Sequence, residues 1–265
     1  MQDKKRFEEP GVDSRTVEEL SKKLLEANAK LQKAENERKI MLENISHDLR
    51  APLTAIRSTV DYIKLKNDDK SFNFTGDEFQ DMLKLLDNRT KTLEVLVQDL
   101  YYLTCIDSGK DKLKLCEVPL EQFLEEYFFA AEMDDKYKKK RLILEIPDDY
   151  SRMVKLDTDK MTRVLDNLFT NAYKYSDDGA EIALGVKETS DKACFYVRDT
   201  GYGIKQEEVE LIFDRTYTAS SARTPSKEPS SGLGLTIVES IVTQHGGRVW
   251  CESKYGEGST FFVEI

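Results

Sequence analysis

Two long stretches of this chain place apolar residues at alternating steps of three and four. The first runs Val17, Leu20, Leu24, Ala27, Leu31, Ala34, then on through Arg38, Met41 and Ile45. The second runs Phe79, Met82, Leu86, Arg89, Leu93, Leu96, Leu100 and Leu103. That spacing keeps one stripe of a helix apolar and makes a coiled-coil seam. Residues 66–77 between the two are mostly polar with one glycine, and read as the loop of a hairpin. Phe72 and Phe74 within it are expected to tuck back onto the helices. One αα-hairpin cannot cover both of its stripes, so a dimer completing a four-helix bundle is its natural form.

The first seam changes step partway. From Met41 it takes three fours in succession, to Ile45, Leu49 and Leu53, before Ile56, Val60 and Ile63 resume the alternation. Extra fours locally unwind a coiled coil, and Pro52 falls among them, where it removes a backbone donor. An irregular helix is expected just beyond His47. That histidine lies two residues past Ile45, about 200° around the helix from the seam, so its imidazole is expected to face solvent.

At Asp107-Ser108-Gly109-Lys110-Asp111 the period changes. Short runs rich in β-branched and aromatic residues follow at 141–146, 182–187, 193–198, 248–251 and 260–265, and read as strands. Helical patterns occupy 119–135, 158–175 and 232–245. The second half is therefore a mixed α/β domain. Residues 216–231 carry Ser, Thr, Pro, Lys and Arg and read as a mobile loop, too long for an ordinary connection. The expected division is a flexible N-terminus at 1–14, the helical part at 15–106, a linker at 107–118 and the α/β domain at 119–265.

Composition narrows the functional classes. A net charge of −10 argues against a nucleic-acid-binding surface. The four cysteines show no CxxC spacing and only two histidines accompany them, so unpaired thiols in a reducing compartment are expected. No apolar run approaches the ~18 residues of a membrane span. A cytoplasmic location follows, with membrane attachment only through an upstream segment.

The residues His47-Asp48-Leu49-Arg50-Ala51-Pro52-Leu53 resemble the H-box of the sensor histidine kinases of two-component signalling. The resemblance implies that His47 Nε2 attacks the γ-phosphate of ATP. A nucleophilic imidazole must be neutral, and a carboxylate on Nδ1–H enforces the needed tautomer and raises basicity. Asp48 stands where the family places its acidic residue for that role. Arg50 suits a carboxylate or phosphate partner, and a solvated surface charge suits its position equally well. The family commonly carries Thr or Asn four residues after the histidine, to orient the water that dephosphorylates the regulator. Ala51 stands there in this chain, so weak phosphatase activity is expected.

Further motifs extend the resemblance over nearly the whole chain from about residue 15. The segment 163–176, with Asn167, Asn171 and Lys174 on one helical face, resembles the N-box. It implies Asn171 as a ligand of Mg²⁺, which prefers hard oxygen donors, with Asn167 close by, Lys174 on phosphate and Tyr175 bordering the nucleotide. Asp199-Thr200-Gly201-Tyr202-Gly203-Ile204 resembles the first glycine box, in which Asp199 accepts the adenine amino hydrogen. Gly201 and Gly203 there permit close backbone approach and positive φ. Ile212-Phe213-Asp214-Arg215 resembles the F-box. Phe213 anchors one end of the long loop and Arg215 is a candidate γ-phosphate contact, while Arg223 and Lys227 fit solvated loop cations better. Gly232-Leu233-Gly234-Leu235 opens a helix, resembles the second glycine box and offers backbone N–H groups to phosphate. Gly256–Thr260 resembles the third box, with Thr260 near adenine, although a simple strand connection fits it nearly as well. His245 reads as structural, at a helix C-terminus.

The implied architecture is a helical hairpin forming a dimeric four-helix bundle, followed by an α/β sandwich of the histidine kinase, gyrase and heat-shock chaperone type. The implied function is ATP- and Mg²⁺-dependent autophosphorylation of His47 and transfer to an aspartate of a response regulator. An ATPase or a nucleotide-binding scaffold of the same fold is the alternative, and neither explains the helical stalk that carries His47. No GxxxxGK[ST] or HRD signature is present.

Overall fold

The computed structural model describes residues 14–68, 75–107, 112–189, 192–214 and 233–265. The chain divides into two units, one ending at Asn44 and one running from Ile45 to Ile265. From Ser14 the first is helix throughout, the opening part of α1 (Ser14–Asp68). Its seam residues Leu20, Leu24 and Leu31 are exposed in the single chain. An uncovered apolar stripe of this spacing is what a second helix covers in a coiled coil.

In the second unit α1 continues to Asp68 and passes through Pro52 without a break. The irregularity expected beyond His47 thus does not break the helix. Proline costs the helix one N–H donor, and the turns on either side keep theirs. Next comes α2 (Gly76–Asp107), which opens on a capping box. Thr75 Oγ1 accepts the Glu78 N–H at 3.3 Å, and Glu78 Oε2 accepts the Thr75 N–H at 3.4 Å. The helices thus claim both ends of the polar stretch assigned to the loop, since polar residues are tolerated in terminal turns. Phe72 and Phe74 lie outside the described residues, as does 108–111 of the linker.

In chain order the α/β part contains β1 (Cys116–Pro119), α3 (Leu120–Met133), β2 (Arg141–Glu145), β3 (Met153–Leu156), α4 (Thr158–Lys174), β4 (Glu181–Lys187), β5 (Cys194–Asp199), the single turn α5 (Gln206–Val209), α6 (Gly234–Gln244), β6 (Arg248–Lys254) and β7 (Gly258–Glu264). Five strands form one sheet in the order β2-β4-β5-β7-β6. The β2–β4 pair is parallel and the other pairs are antiparallel. Strands β1 and β3 form a separate antiparallel ladder. Both escaped the sequence reading because each holds only one β-branched residue and no aromatic one. Residues 116–118, assigned to the linker, are therefore strand.

Helix α4 packs on β4 and β5, and α6 packs on α4 and β6. Leu165, Leu168, Phe169, Ile237 and Ile241 are fully buried there, as are Ile182, Leu184 and Phe195 of the sheet. Asp157 caps α4 by accepting the Lys160 N–H at 3.1 Å and also takes the Lys114 N–H at 2.8 Å. His245 is structural, as expected. Its Nε2 accepts the Asp157 N–H at 3.0 Å and its Nδ1 lies 2.8 Å from the Ile241 carbonyl. The four cysteines are free thiols. Among the described residues no helix is long and apolar enough to cross a membrane.

Candidate active site

His47 stands on α1 with its side chain 80% exposed. It lies between the buried Ile45 and the half-buried Leu49, on the opposite side from the seam. Its Nδ1 is 3.4 Å from Asp48 Oδ1. Burial raises the Asp48 carboxyl above its ordinary value, and His47 pulls it back. A carboxylate on Nδ1 leaves Nε2 as the nitrogen with a free lone pair, pointing to solvent. Arg50 is exposed and lines one groove with Leu53, Thr54 and Arg57.

The nucleotide motifs converge at one end of the sheet. Asp199 closes β5, buried to 6% exposure, and its Oδ1 accepts the Gly201 N–H at 2.9 Å. Burial pushes its carboxyl up to about 6, against the Gly201 and Ser259 amides and the Lys140 ammonium. The turn 199–203 lies against the end of α4, where the Tyr202 N–H donates to the Tyr175 carbonyl at 2.9 Å. A side chain on Gly201 would collide with that same carbonyl, and one on Gly203, whose φ is +66°, with the Lys254 carbonyl. Here glycine is required by space as well as by backbone geometry. The Ile204 N–H donates to Ser253 Oγ at 2.8 Å, which ties the turn to β6.

Asn167, Asn171 and Lys174 are half-buried along α4. The Asn167 amide donates to the Arg163 carbonyl at 2.9 Å. Its Oδ1 lies 2.8 Å from where a Cβ on Gly234 would stand, so the N-box helix and the start of α6 meet at this point. Leu233 is buried and caps α6, and Leu235 is half-buried in its first turn. Phe213 packs edge-on against Phe261 at 6.4 Å, and its carbonyl accepts from Thr236 Oγ1 at 3.4 Å. It behaves as an anchor beside α6. Arg215, Arg223, Lys227 and Gly232 lie outside the described residues.

Strand pairing separates Thr260 from Asp199. It pairs with Arg198 and Glu252, whereas Asp199 pairs with Ser259. Paired residues share a sheet face and successive residues alternate, so Thr260 projects from the face opposite Asp199. The residue on the Asp199 side is Ser259, buried and 3.0 Å from Ser253 Oγ. The signal lay in the sequence, because Ser259 shares parity with the apolar Phe261 and Val263.

A contact of unexpected importance joins the helical part to this site. Arg163 Nη2 donates to Asp99 Oδ1 on α2 at 2.6 Å, and its guanidinium lies 4.3 Å over the Tyr102 ring. Arg163 stands one turn before Asn167, on the same stripe of α4. Leu103 beside it is completely buried.

Two family models match this chain. The His Kinase A (phospho-acceptor) domain matches residues 37–109, and the histidine kinase-, DNA gyrase B- and HSP90-like ATPase matches residues 156–265. The chain is 33% identical over 234 residues to sensor histidine kinase WalK of Bacillus subtilis, covering 86% of this chain and 36% of that protein. It is 32% identical over 239 residues to sensor protein kinase WalK of Staphylococcus aureus strain MRSA252, covering 88% of this chain and 37% of that one. It thus spans little more than a third of the length of these relatives. In fold it is similar to Acinetobacter baumannii histidine kinase AdeS, with a TM-score of 0.61 at 24% identity over 83% of this chain and 96% of that one. Histidine kinase ThkA, solved in complex with response regulator protein TrrA, gives a TM-score of 0.64 at 22% identity over 89% of this chain and 66% of that one.

Proposed function

We propose, for a chain that belongs to the sensor histidine kinases of two-component signalling, that it phosphorylates His47 from ATP and passes the phosphoryl group to an aspartate of a response regulator. The observation that carries this reading is the solvent-facing imidazole with a carboxylate at its Nδ1. A nucleotide-binding module needs no such pair for hydrolysis alone, so the ATPase alternative leaves it unexplained.

In this reading the His47 Nε2 lone pair forms a bond to the γ-phosphorus. The bond from that phosphorus to the β–γ bridging oxygen breaks, and ADP leaves with the electron pair. Phosphoryl transfer depends mainly on positioning and charge neutralisation. Asp48 holds the tautomer and offsets the positive charge that develops on the imidazole. Asp199 accepts the adenine amino hydrogen, Ser259 borders it, and Tyr175, Gly201, Gly203 and Ile204 line the base. Asn167, Lys174 and the α6 N-terminus at Leu233, Gly234 and Leu235 face the phosphates; Gly232 and Arg215, the other phosphate contacts expected from the sequence, lie outside the described residues. Arg50 stands by the incoming phosphoryl group. The Asn171 side-chain carbonyl is a hard oxygen donor on the same stripe as Asn167, which fits Mg²⁺. When bound, the ion offsets phosphate charge.

The exposed seam of α1 supports a homodimer, and the ThkA–TrrA complex supports a response-regulator partner. In this reading the regulator docks on the surface that carries His47. Ala51 offers no side-chain hydrogen bond to a hydrolytic water, so phosphatase activity is weak in this reading. ATP use places the domain in the cytoplasm.

The test is incubation with Mg²⁺ and γ-labelled ATP. Acid-labile, base-stable label on the protein is expected, and ATP hydrolysis without protein label would instead support the ATPase alternative.

A further inference from the structure

We propose that Lys140 is a positioning residue of the nucleotide site, clamping the turn after α4 against the glycine turn that carries Asp199. The inference rests on the ATP-binding reading above.

Helix α4 ends at Lys174, so the carbonyls just beyond it lack helical partners. Lys140 supplies them. Its Nζ donates to the Ser176 carbonyl at 2.7 Å, to Ser176 Oγ at 2.9 Å and to the Asp177 carbonyl at 2.7 Å. These acceptors match the three N–H bonds of an ammonium group. The same Nζ lies 5.2 Å from the centre of the Tyr173 ring, within cation–π range. A cation at the C-terminal end of α4 also complements the helix dipole.

On its other side the clamped turn meets the nucleotide motif. The Tyr175 carbonyl accepts the Tyr202 N–H, and Tyr202 Oη donates to Asp177 Oδ1 at 2.6 Å. Residues 175–177 are thus held between Lys140 and the 199–203 turn. Lys140 is also the cation that opposes the burial of Asp199. Burial lowers the Lys140 ammonium below its ordinary value, and the Asp178, Asp177 and Asp199 carboxylates oppose that fall. The Gly201 and Ser259 amides and the Cys251 thiol of β6 are the other groups facing Asp199. With its donors taken, Lys140 acts through these neighbours rather than on ATP.

The experiment measures equilibrium ATP binding and autophosphorylation from pH 5.5 to 8.5 for wild type, Lys140→Met, Lys140→Arg and Tyr202→Phe. Losing the clamp is expected to weaken ATP binding about tenfold in Lys140→Met, the effect of removing one or two such hydrogen bonds. KM should rise accordingly, with kcat at saturating ATP within about threefold of wild type. The pH at which binding falls off should move upward, since Asp199 then lacks its neighbouring cation. Lys140→Arg should recover most of the affinity, and Tyr202→Phe, which removes one exposed hydroxyl, should weaken binding in the same direction. Wild-type affinity and an unshifted pH profile in a folded Lys140→Met protein would overturn the proposal while leaving the ATP reading intact. If Lys140→Met does not fold, wild-type affinity in Tyr202→Phe would overturn it. Wild type that fails to bind ATP would overturn both.

Discussion

Asp99 on the second helix of the hairpin and Arg163 on the first turns of the N-box helix form a 2.6 Å ion pair, with side chains only 10% and 28% exposed. Burial raises the Asp99 carboxyl above its ordinary value, and Arg163 pulls it back. Such a pair gains little over a neutral replacement, but breaking it from one side strands a buried charge. Arg163→Ala is therefore expected to destabilise the folded protein by about 3 kcal/mol, and adding Asp99→Asn should recover most of that loss. Chemical denaturation of the two single variants and the double variant measures the coupling. Strict additivity would show that the contact carries no energy.

Asp199 sets function against stability. Its carboxyl is raised to about 6 by burial, so the folded state holds a proton that the unfolded chain releases near 3.8. The resulting penalty is absent below the unfolded value, grows as pH rises toward about 6, and is complete above it. Asp199→Asn is expected to stabilise the protein at pH 8 by about 1–3 kcal/mol, to have little effect near pH 3.5, and to abolish ATP binding. A lower melting temperature at pH 8 would contradict this. In wild type, ATP affinity should fall as pH drops through about 6, where Asp199 gains its proton.

Gly203 and Gly234 separate fold from site. Gly203 has φ +66° and a backbone carbonyl in the way of any side chain, so alanine there should cost about 1–3 kcal/mol of stability. At Gly234 the obstacle is the Asn167 side-chain tip at 2.8 Å, which can swing aside. Gly234→Ala should fold within about 1 kcal/mol of wild type yet bind ATP at least about tenfold more weakly. Melting curves and ATP titrations distinguish the two, and equal loss of stability in both variants would count against this assignment.

Strand parity gives a fourth expectation. Ser259 shares the Asp199 face and Thr260 does not. Ser259→Ala should weaken ATP binding about three- to tenfold, the worth of one hydrogen bond, and Thr260→Ala should leave it unchanged. The reverse pattern in an ATP titration would return Thr260 to the site.

What the sequence discloses follows the physics of each feature. The long helices and the exposed face of His47 were readable, because a 3.6-residue period over many turns is a strong signal. The five sheet strands were readable as short runs rich in β-branched and aromatic residues. β1 and β3 were not, having one β-branched residue each and no aromatic. The motif pointed to Thr260, and strand parity points to its neighbour Ser259. The Asp99–Arg163 pair joins residues 64 positions apart, and nothing local announces it. Lys140 is hidden in the run Lys138-Lys139-Lys140-Arg141, which resembles an ordinary solvated stretch until the fold brings Ser176 and Asp177 to its ammonium.

The most direct test locates the phosphoryl group on the imidazole. Protein labelled with ¹⁵N histidine is incubated with Mg²⁺ and ATP, and long-range ¹H–¹⁵N spectra assign the modified nitrogen. With Asp48 occupying Nδ1, phosphate is expected on Nε2 of His47, and His47→Ala should take up none. Phosphate on Nδ1, or undiminished labelling of His47→Ala, would contradict the account.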